Sequence, residues 1–313
     1  MNKSKLETTF PWLETCGCKG KDYINIIAKW SVPQCLLKQE SCIGWIFKAA
    51  QESKLEITKE QIKILFLDLI AQEQQQVTNW PFVWTYWEDG AKGDELKYSI
   101  RSVLRWQPDA QIVIVGDQPQ WYAGRMILSP RIKKQEFHSF QDVYHKLQKT
   151  CLQYPQFVWM MDDVYWINSF LIDEAITPKF VRHVSQQRFH DWKPTNAWAK
   201  TRSRAYTWLL NNNFPTYDFA AHLPQPIRAA TFQEMERKAQ IFTFYKNWEC
   251  VYFNMFYAAN AIDYGRRFTR VTKPKENFST RHSLMNHTDS AYRGGVEAFL
   301  AQNFPDKCQV EKI

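Results

Sequence analysis

The chain has 313 residues, 45% hydrophobic and 23% charged, enough to bury one large core or two modest ones. No run approaches the ~18 uninterrupted apolar residues of a membrane span. The first eleven residues carry Lys3, Lys5 and Glu7 instead of an apolar leader block, and seven scattered cysteines are not a secreted disulfide framework, so the expected setting is cytoplasmic. The formal charge of +8 is uneven, with +1 over residues 1–78, −2 over 79–178 and +9 over 179–313. A positive field on the last segment favours an anionic donor or acceptor; a solvated basic face is the alternative.

In chain order, four of the seven cysteines come first: Cys16, Cys18, Cys35 and Cys42. They offer thiolates for a structural Zn²⁺, or are reduced cysteines buried in a helical module. Residues 42–51 and 57–71 have helical spacing, with Ile43, Trp45, Ile46 and Ala49, then Ile62, Ile64, Leu65, Leu67 and Ile70. The polar run 72–76 (QEQQQ) reads as a linker. Residues 1–78 are therefore expected to form a small helical module and 79–313 a second domain.

The pattern then changes. Residues 82–87 form an apolar run ending at Glu88-Asp89-Gly90, which predicts a strand and a turn. Residues 94–106 (DELKYSIRSVLRW) have helical periodicity with acids in the first turn. Residues 111–115 (QIVIV) predict a buried strand stopped by Gly116-Asp117. A helix over 141–154 leads to a third strand, 157–161 (FVWMM), ending on Asp162-Asp163. This βαβ alternation predicts a mostly parallel sheet. In such sheets ligands bind at the carboxyl ends of the strands, and all three strands end at acidic residues.

Asp162 and Asp163 supply hard oxygen ligands for Mn²⁺ or Mg²⁺, a cation able to bridge a diphosphate; a turn or helix cap is the plainer role. Arg101, two helical turns past Asp94, is a candidate phosphate contact, and Asp117 a base or ribose contact or a turn residue. Asp142 and Lys146 are spaced as a helix ion pair. His222, in an irregular Pro-rich stretch, is a candidate metal-site neighbour, leaving-phosphate donor or general base. His282, beside Arg281, is a lesser candidate over a diphosphate. Lys200, Arg202 and Arg204, with Arg182 and Arg188, interleave with Trp192, Trp198, Tyr206 and Trp208. That suits phosphate contacts with base or sugar stacking, or an amphipathic helix with a basic face.

The order of these blocks resembles the Stealth-type sugar-phosphate transferases of capsule synthesis. Residues 82–102 (FVWTYWEDGAKGDELKYSIRS) are similar to that family's first block, 112–121 and 157–166 to the next two, and 218–224 (DFAAHLP) to its later H-x-P. Lys97 stands where the family usually has Arg, and Met161-Asp162-Asp163 where it has N-D-D. Phage-encoded glycosyltransferases of related fold share the order and look alike at Asp142 and Lys146. The resemblance spans roughly residues 80–285 and implies an α/β, GT-A-like Rossmann-type mixed, mostly parallel sheet. It also implies a metal-dependent transferase using a nucleotide-sugar, most simply a UDP-sugar. Asp89 and Asp94 are implied nucleotide and donor contacts, Lys146 a phosphate contact, Asp162 and Asp163 metal ligands, and His222 with Asp163 catalytic groups. The expected acceptor is anionic: hydroxylated DNA bases of the phage kind, or a polysaccharide. Hexose-1-phosphate transfer and a non-catalytic nucleic-acid-binding role on the same fold are the competing expectations.

Overall fold

The computed structural model describes residues 3–11, 13, 17–28, 39–78, 80–131, 138–184, 196–274 and 281–312. The chain divides into two compact units, Met1–Asn79 and Trp80–Ile313. The first contains α1 (Lys3–Thr9), α2 (Gly17–Ala28), α3 (Gln39–Glu52) and α4 (Lys59–Thr78). Ile43, Ile46 and Ala49 pack with Ile62, Phe66 and Leu69. The buried stripe of α4 thus runs through Ile62, Phe66 and Leu69 at i, i+4, i+7 spacing, and Ile64 and Leu65 face solvent. The expected linker at 72–76 is helical, because Gln and Glu are good helix formers and nothing in the run stops a turn. Cys42 is buried, whereas Cys16, Cys35 and the Cys18 side chain lie outside the described residues, and with them the zinc site considered above.

The second unit is built on β1 (Phe82–Tyr86), β2 (Ile112–Gly116), β3 (Arg125–Leu128), β4 (Gln156–Met160), β5 (Val164–Trp166), β6 (Lys179–Phe180), β7 (Gln225–Arg228), β8 (Ile262–Asp263), β9 (Phe268–Val271) and β10 (Leu284–His287). Among the described residues the main sheet has the order β3-β2-β1-β4-β7. The first four strands are parallel and β7 runs antiparallel at the edge. This is a mixed, mostly parallel Rossmann-type sheet, as expected. The edge strand β3 has no counterpart among the expected elements. It is four residues long and buries only Ile127, too weak a pattern to mark a strand.

Alternation along the strands sends side chains into two cores. Val83, Val113, Val115, Phe157 and Trp159 meet α6 (His138–Cys151), α8 (Ala229–Ala239) and α9 (Trp248–Phe256) on one face. Phe82, Trp84, Ile112, Ile114, Val158 and Met160 meet α5 (Glu95–Trp106) on the other. A sheet covered on both faces requires apolar residues at successive positions, which is why its strands read as unbroken hydrophobic runs. A smaller sheet, β5-β10-β9, begins directly after Asp163, with Val164 opposite Asn286. Two further helices matter below: α7 (Ala197–Asn211), between α6 and α8, and α10 (Glu297–Asn303) near the end. Among the described residues no helix is long and apolar enough to cross a membrane.

Candidate active site

Because β1, β2 and β4 are parallel and adjacent, the acidic residues that follow them gather at one edge of the sheet. The turn carrying Asp162 and Asp163 is held from α5. Trp84 donates its indole N–H to the Ser99 hydroxyl at 2.9 Å, and that hydroxyl lies 3.2 Å from the Met161 carbonyl and 2.6 Å from that of Val164. Ser102 receives the backbone N–H of Trp166 at 3.0 Å. The two serines of the SIRS block thus brace the aspartate turn on both sides.

His222 arrives from a distant loop. Its Nδ1 lies 2.7 Å from Asp163 Oδ2, so the ring proton belongs on Nδ1 and the carboxylate accepts it. The His222 backbone is left-handed, with φ at +50°, a conformation that a non-glycine residue adopts at a cost of about 1–3 kcal/mol. Asn286 of β10 holds it there by donating to the carbonyls of Ala221 and His222, at 3.2 and 2.8 Å. The histidine is more than half exposed to the cleft, yet ringed by carboxylates. The negative charge of Asp163 is the largest influence on its imidazole and raises it to about 9.

The cleft has a volume of about 790 Å³. Asp89, Glu95, Asp162, Asp163 and Glu249 contribute carboxyls to its wall, Lys92 and Arg131 cations, and Trp87, Trp159, Trp198 and Trp248 aromatic faces. The Arg131 guanidinium lies 3.3 Å from the centre of the Trp87 ring, a cation–π contact that leaves its N–H groups at the rim. Burial, reinforced by Asp163, lifts Asp162 to about 6. Burial would lift Asp163 as well, but the charge and hydrogen bond of His222 outweigh it and hold that carboxyl below its ordinary value. Burial takes Glu95 and Glu249 to about 8, with Asp162 adding to the rise at Glu95. Asp163 Oδ1 and Glu249 Oε2 are buried without a hydrogen-bond partner.

Those features fit a cation. Asp163 has one oxygen committed to His222 and the other unspent, beside an Asp162 whose ionisation is disfavoured until positive charge approaches. Among the described residues no three His, Cys, Asp or Glu side chains converge closely enough to enclose an ion. An ion here would take one or two carboxylates and complete its shell from phosphate and water, the usual arrangement for Mg²⁺.

The other expected site residues are placed differently. Asp117 accepts the backbone N–H of Glu88 at 3.0 Å and closes the turn after β1. Asp94 pairs with Lys97 at 2.7 Å and does not line the cleft. Lys146 is buried, 2.6 Å from Asp142 and donating to the Tyr86 carbonyl at 2.7 Å. It braces the end of β1 rather than offering its ammonium to a ligand. Arg101 is turned away, forming a two-pronged pair with Glu311 at 2.7 Å on each prong. Lys200 is exposed, and Arg204 lines a separate groove with Trp208 and Phe244. Arg202 is buried against Asp218 at 2.5 Å, so the basic residues of α7 do not share one face. Arg188 and Trp192 lie outside the described residues. His282 meets Arg281 at 3.1 Å and does not line the cleft.

Glu95, Arg131 and Glu249 join the site without having been singled out from the sequence. Glu249 did carry a signal, as the sole charged residue in helix α9, which is apolar apart from it and Asn254. No family model matches the chain, and no curated protein matches it. Among solved structures it is similar to one described as the WbbM bifunctional glycosyltransferase in its apo form, at 10% identity and a TM-score of 0.44 over 96% of this chain and 69% of that one.

Proposed function

We propose that this chain is a metal-assisted glycosyltransferase using a nucleotide-sugar donor. The observation that carries the proposal is the Asp162-Asp163 turn at the end of the interior strand β4, with Asp163 split between His222 and an unspent oxygen in a tryptophan-lined cleft. Asp162 and Asp163 Oδ1 would hold Mn²⁺ or Mg²⁺. When bound, such an ion neutralises the donor diphosphate and its leaving charge. Arg131 and Lys92 stand where they can meet phosphate oxygens. Trp87 and Trp198 provide flat faces for the base or sugar. The cleft volume lies within the range of small-molecule sites, roughly 300–1,000 Å³.

The acceptor hydroxyl oxygen forms a bond to the anomeric carbon as the bond from that carbon to the diphosphate oxygen breaks, its electron pair leaving with the phosphate. The hydroxyl proton passes to Nε2 of His222, which Asp163 orients through Nδ1, the Asp–His arrangement of a general base. The resemblance to Stealth-type enzymes allows the same residues to serve attack on phosphorus, and the released nucleotide distinguishes the two.

The test is a panel of nucleotide-sugars incubated with the protein, with Mn²⁺ or with a chelator, and analysed by mass spectrometry. UDP release that needs the metal and disappears in D162N supports glycosyl transfer. Release of UMP instead reassigns the reaction to sugar-phosphate transfer. A protein that neither binds UDP nor consumes any donor sinks the reading.

A further inference from the structure

The Asp163–His222 pair is a partition. On one side lies the tryptophan-lined cleft; on the other is a second pocket of about 500 Å³. Asp163, His222 and Asp289 border both. An enzyme joining two substrates needs two adjoining compartments whose shared wall carries the reacting groups, and this wall carries the histidine assigned as base. The small sheet builds the second compartment: β5 leaves directly from Asp163, and β10 and β9 bring Asn286 and Arg270 beside it.

Arg270 and Asn286 are register partners on the parallel strands β9 and β10, so their side chains leave the same face. Arg270 is exposed and has no carboxylate partner among the described residues. Asn286 is 2% exposed, donates both amide protons inward, and has a buried Oδ1 without a partner. The hydroxyls of Thr288 and Ser290 lie 3.2 Å apart on the same wall. Both ring nitrogens of His287 are engaged, Nε2 with the Tyr165 hydroxyl at 2.8 Å and Nδ1 with the Thr288 carbonyl at 3.1 Å, and Tyr292 stacks on the ring, so it offers no free nitrogen to a ligand. Among the described residues the wall contains no Trp, Tyr or Phe.

Resting on the glycosyltransferase reading, we infer that this pocket is the acceptor subsite and that it takes a sugar or polyol bearing an anionic substituent, carboxylate or phosphate. Arg270 receives the anion, and Asn286, Thr288 and Ser290 receive ring hydroxyls. The acceptor hydroxyl is thereby presented to Nε2 of His222 across from the donor. A nucleobase acceptor is disfavoured, because a base held out of its stack is recognised on aromatic faces. Those faces lie in the other compartment, which suits the donor nucleotide.

Saturation-transfer NMR on the full chain, with Mn²⁺ replaced by diamagnetic Mg²⁺, tests this with UDP, methyl glucuronide, glucose 6-phosphate, methyl glucoside and 5-hydroxymethyldeoxyuridine as probes. At least one acidic sugar should bind alongside UDP, and the two acidic probes separate carboxylate from phosphate recognition. R270Q should weaken that acidic sugar at least tenfold while the UDP Kd holds, and R270K should recover most of the loss. Equal binding of the neutral glucoside overturns the inference, as does acidic-sugar binding indifferent to R270Q. Preferential binding of the nucleoside to this pocket, or UDP binding with no acidic sugar bound, overturns it too, and both leave the donor reading standing. Failure of UDP itself to bind is a failure of that donor reading.

Discussion

Two regions of the second unit treat a carboxylate in opposite ways. At the chain's end, Glu311 has both oxygens gripped by Arg101, and Oε1 also accepts the backbone N–H of Cys308 at 3.0 Å. Burial would raise Glu311, but the Arg101 bonds outweigh it and hold the carboxyl at about 2. Arg101 also donates to the Phe304 carbonyl at 2.9 Å, fastening the chain beyond α10 to α5. In the cleft, Glu95 and Glu249 are pushed up to about 8, and Asp163 and Glu249 each keep one buried oxygen without a partner. A carboxylate whose bonds are complete stabilises the fold; one buried with bonds unspent is held ready for a ligand at some cost to stability.

Breaking the cleft side should have the largest effect. D162N and D163N are each expected to lower donor turnover on the order of 10³-fold, the scale of losing charge stabilisation in a transition state. Mn²⁺ binding, followed by its electron paramagnetic resonance signal, should weaken in parallel, and undiminished binding in both variants would detach the metal from this turn.

Next comes His222. H222A should cost about 10²–10⁴-fold in kcat/KM, the span of a general base. A base acts when deprotonated, so kcat/KM of the wild type should rise with pH, to a plateau near 9 or lower where a cation on Asp163 offsets the charge that raises the imidazole. Its raised pKa makes the His222–Asp163 contact stabilising below the unfolded value near 6.5, with that contribution lost as pH rises through about 9. In D163N the histidine should titrate nearer 6.5 by NMR. A pH profile that falls toward 9 would instead make the protonated imidazole the working form.

The clamp sharpens the contrast through stability. Glu311 is depressed, so its contribution is complete above about 4.5 and is lost as pH falls toward about 2. E311Q should lower unfolding free energy at pH 7 by on the order of 2–3 kcal/mol while the UDP Kd stays unchanged. Weaker UDP binding by R101M at an unchanged Tm would return Arg101 to the site. The smallest effect is expected of S99A, which removes the acceptor of the Trp84 indole N–H and the hydroxyl bond to the Val164 carbonyl, while the Met161 carbonyl keeps the Val164 N–H. It should cost about 1–3 kcal/mol by chemical denaturation, with a modest loss of turnover.

Strand runs such as FVWTY, IVIVG and QFVWM, each followed by acids, fix a buried parallel sheet and the edge at which ligands gather, since local pattern alone states that a strand is covered on both faces. The aspartate turn was legible for the same reason. Helical spacing gave the Asp142–Lys146 ion pair but carried no record of what packs against either helix, and tertiary contacts gave Arg101 to Glu311 and the remaining bond of Lys146 to the Tyr86 carbonyl. The pairing of His222 with Asp163, 59 positions apart, and the arrival of Glu249 and Arg270 depended on long-range strand order and helix packing. Local sequence determines which residues are buried along an element; only the closed fold determines which charges meet, because those energies depend on neighbours brought together from across the chain.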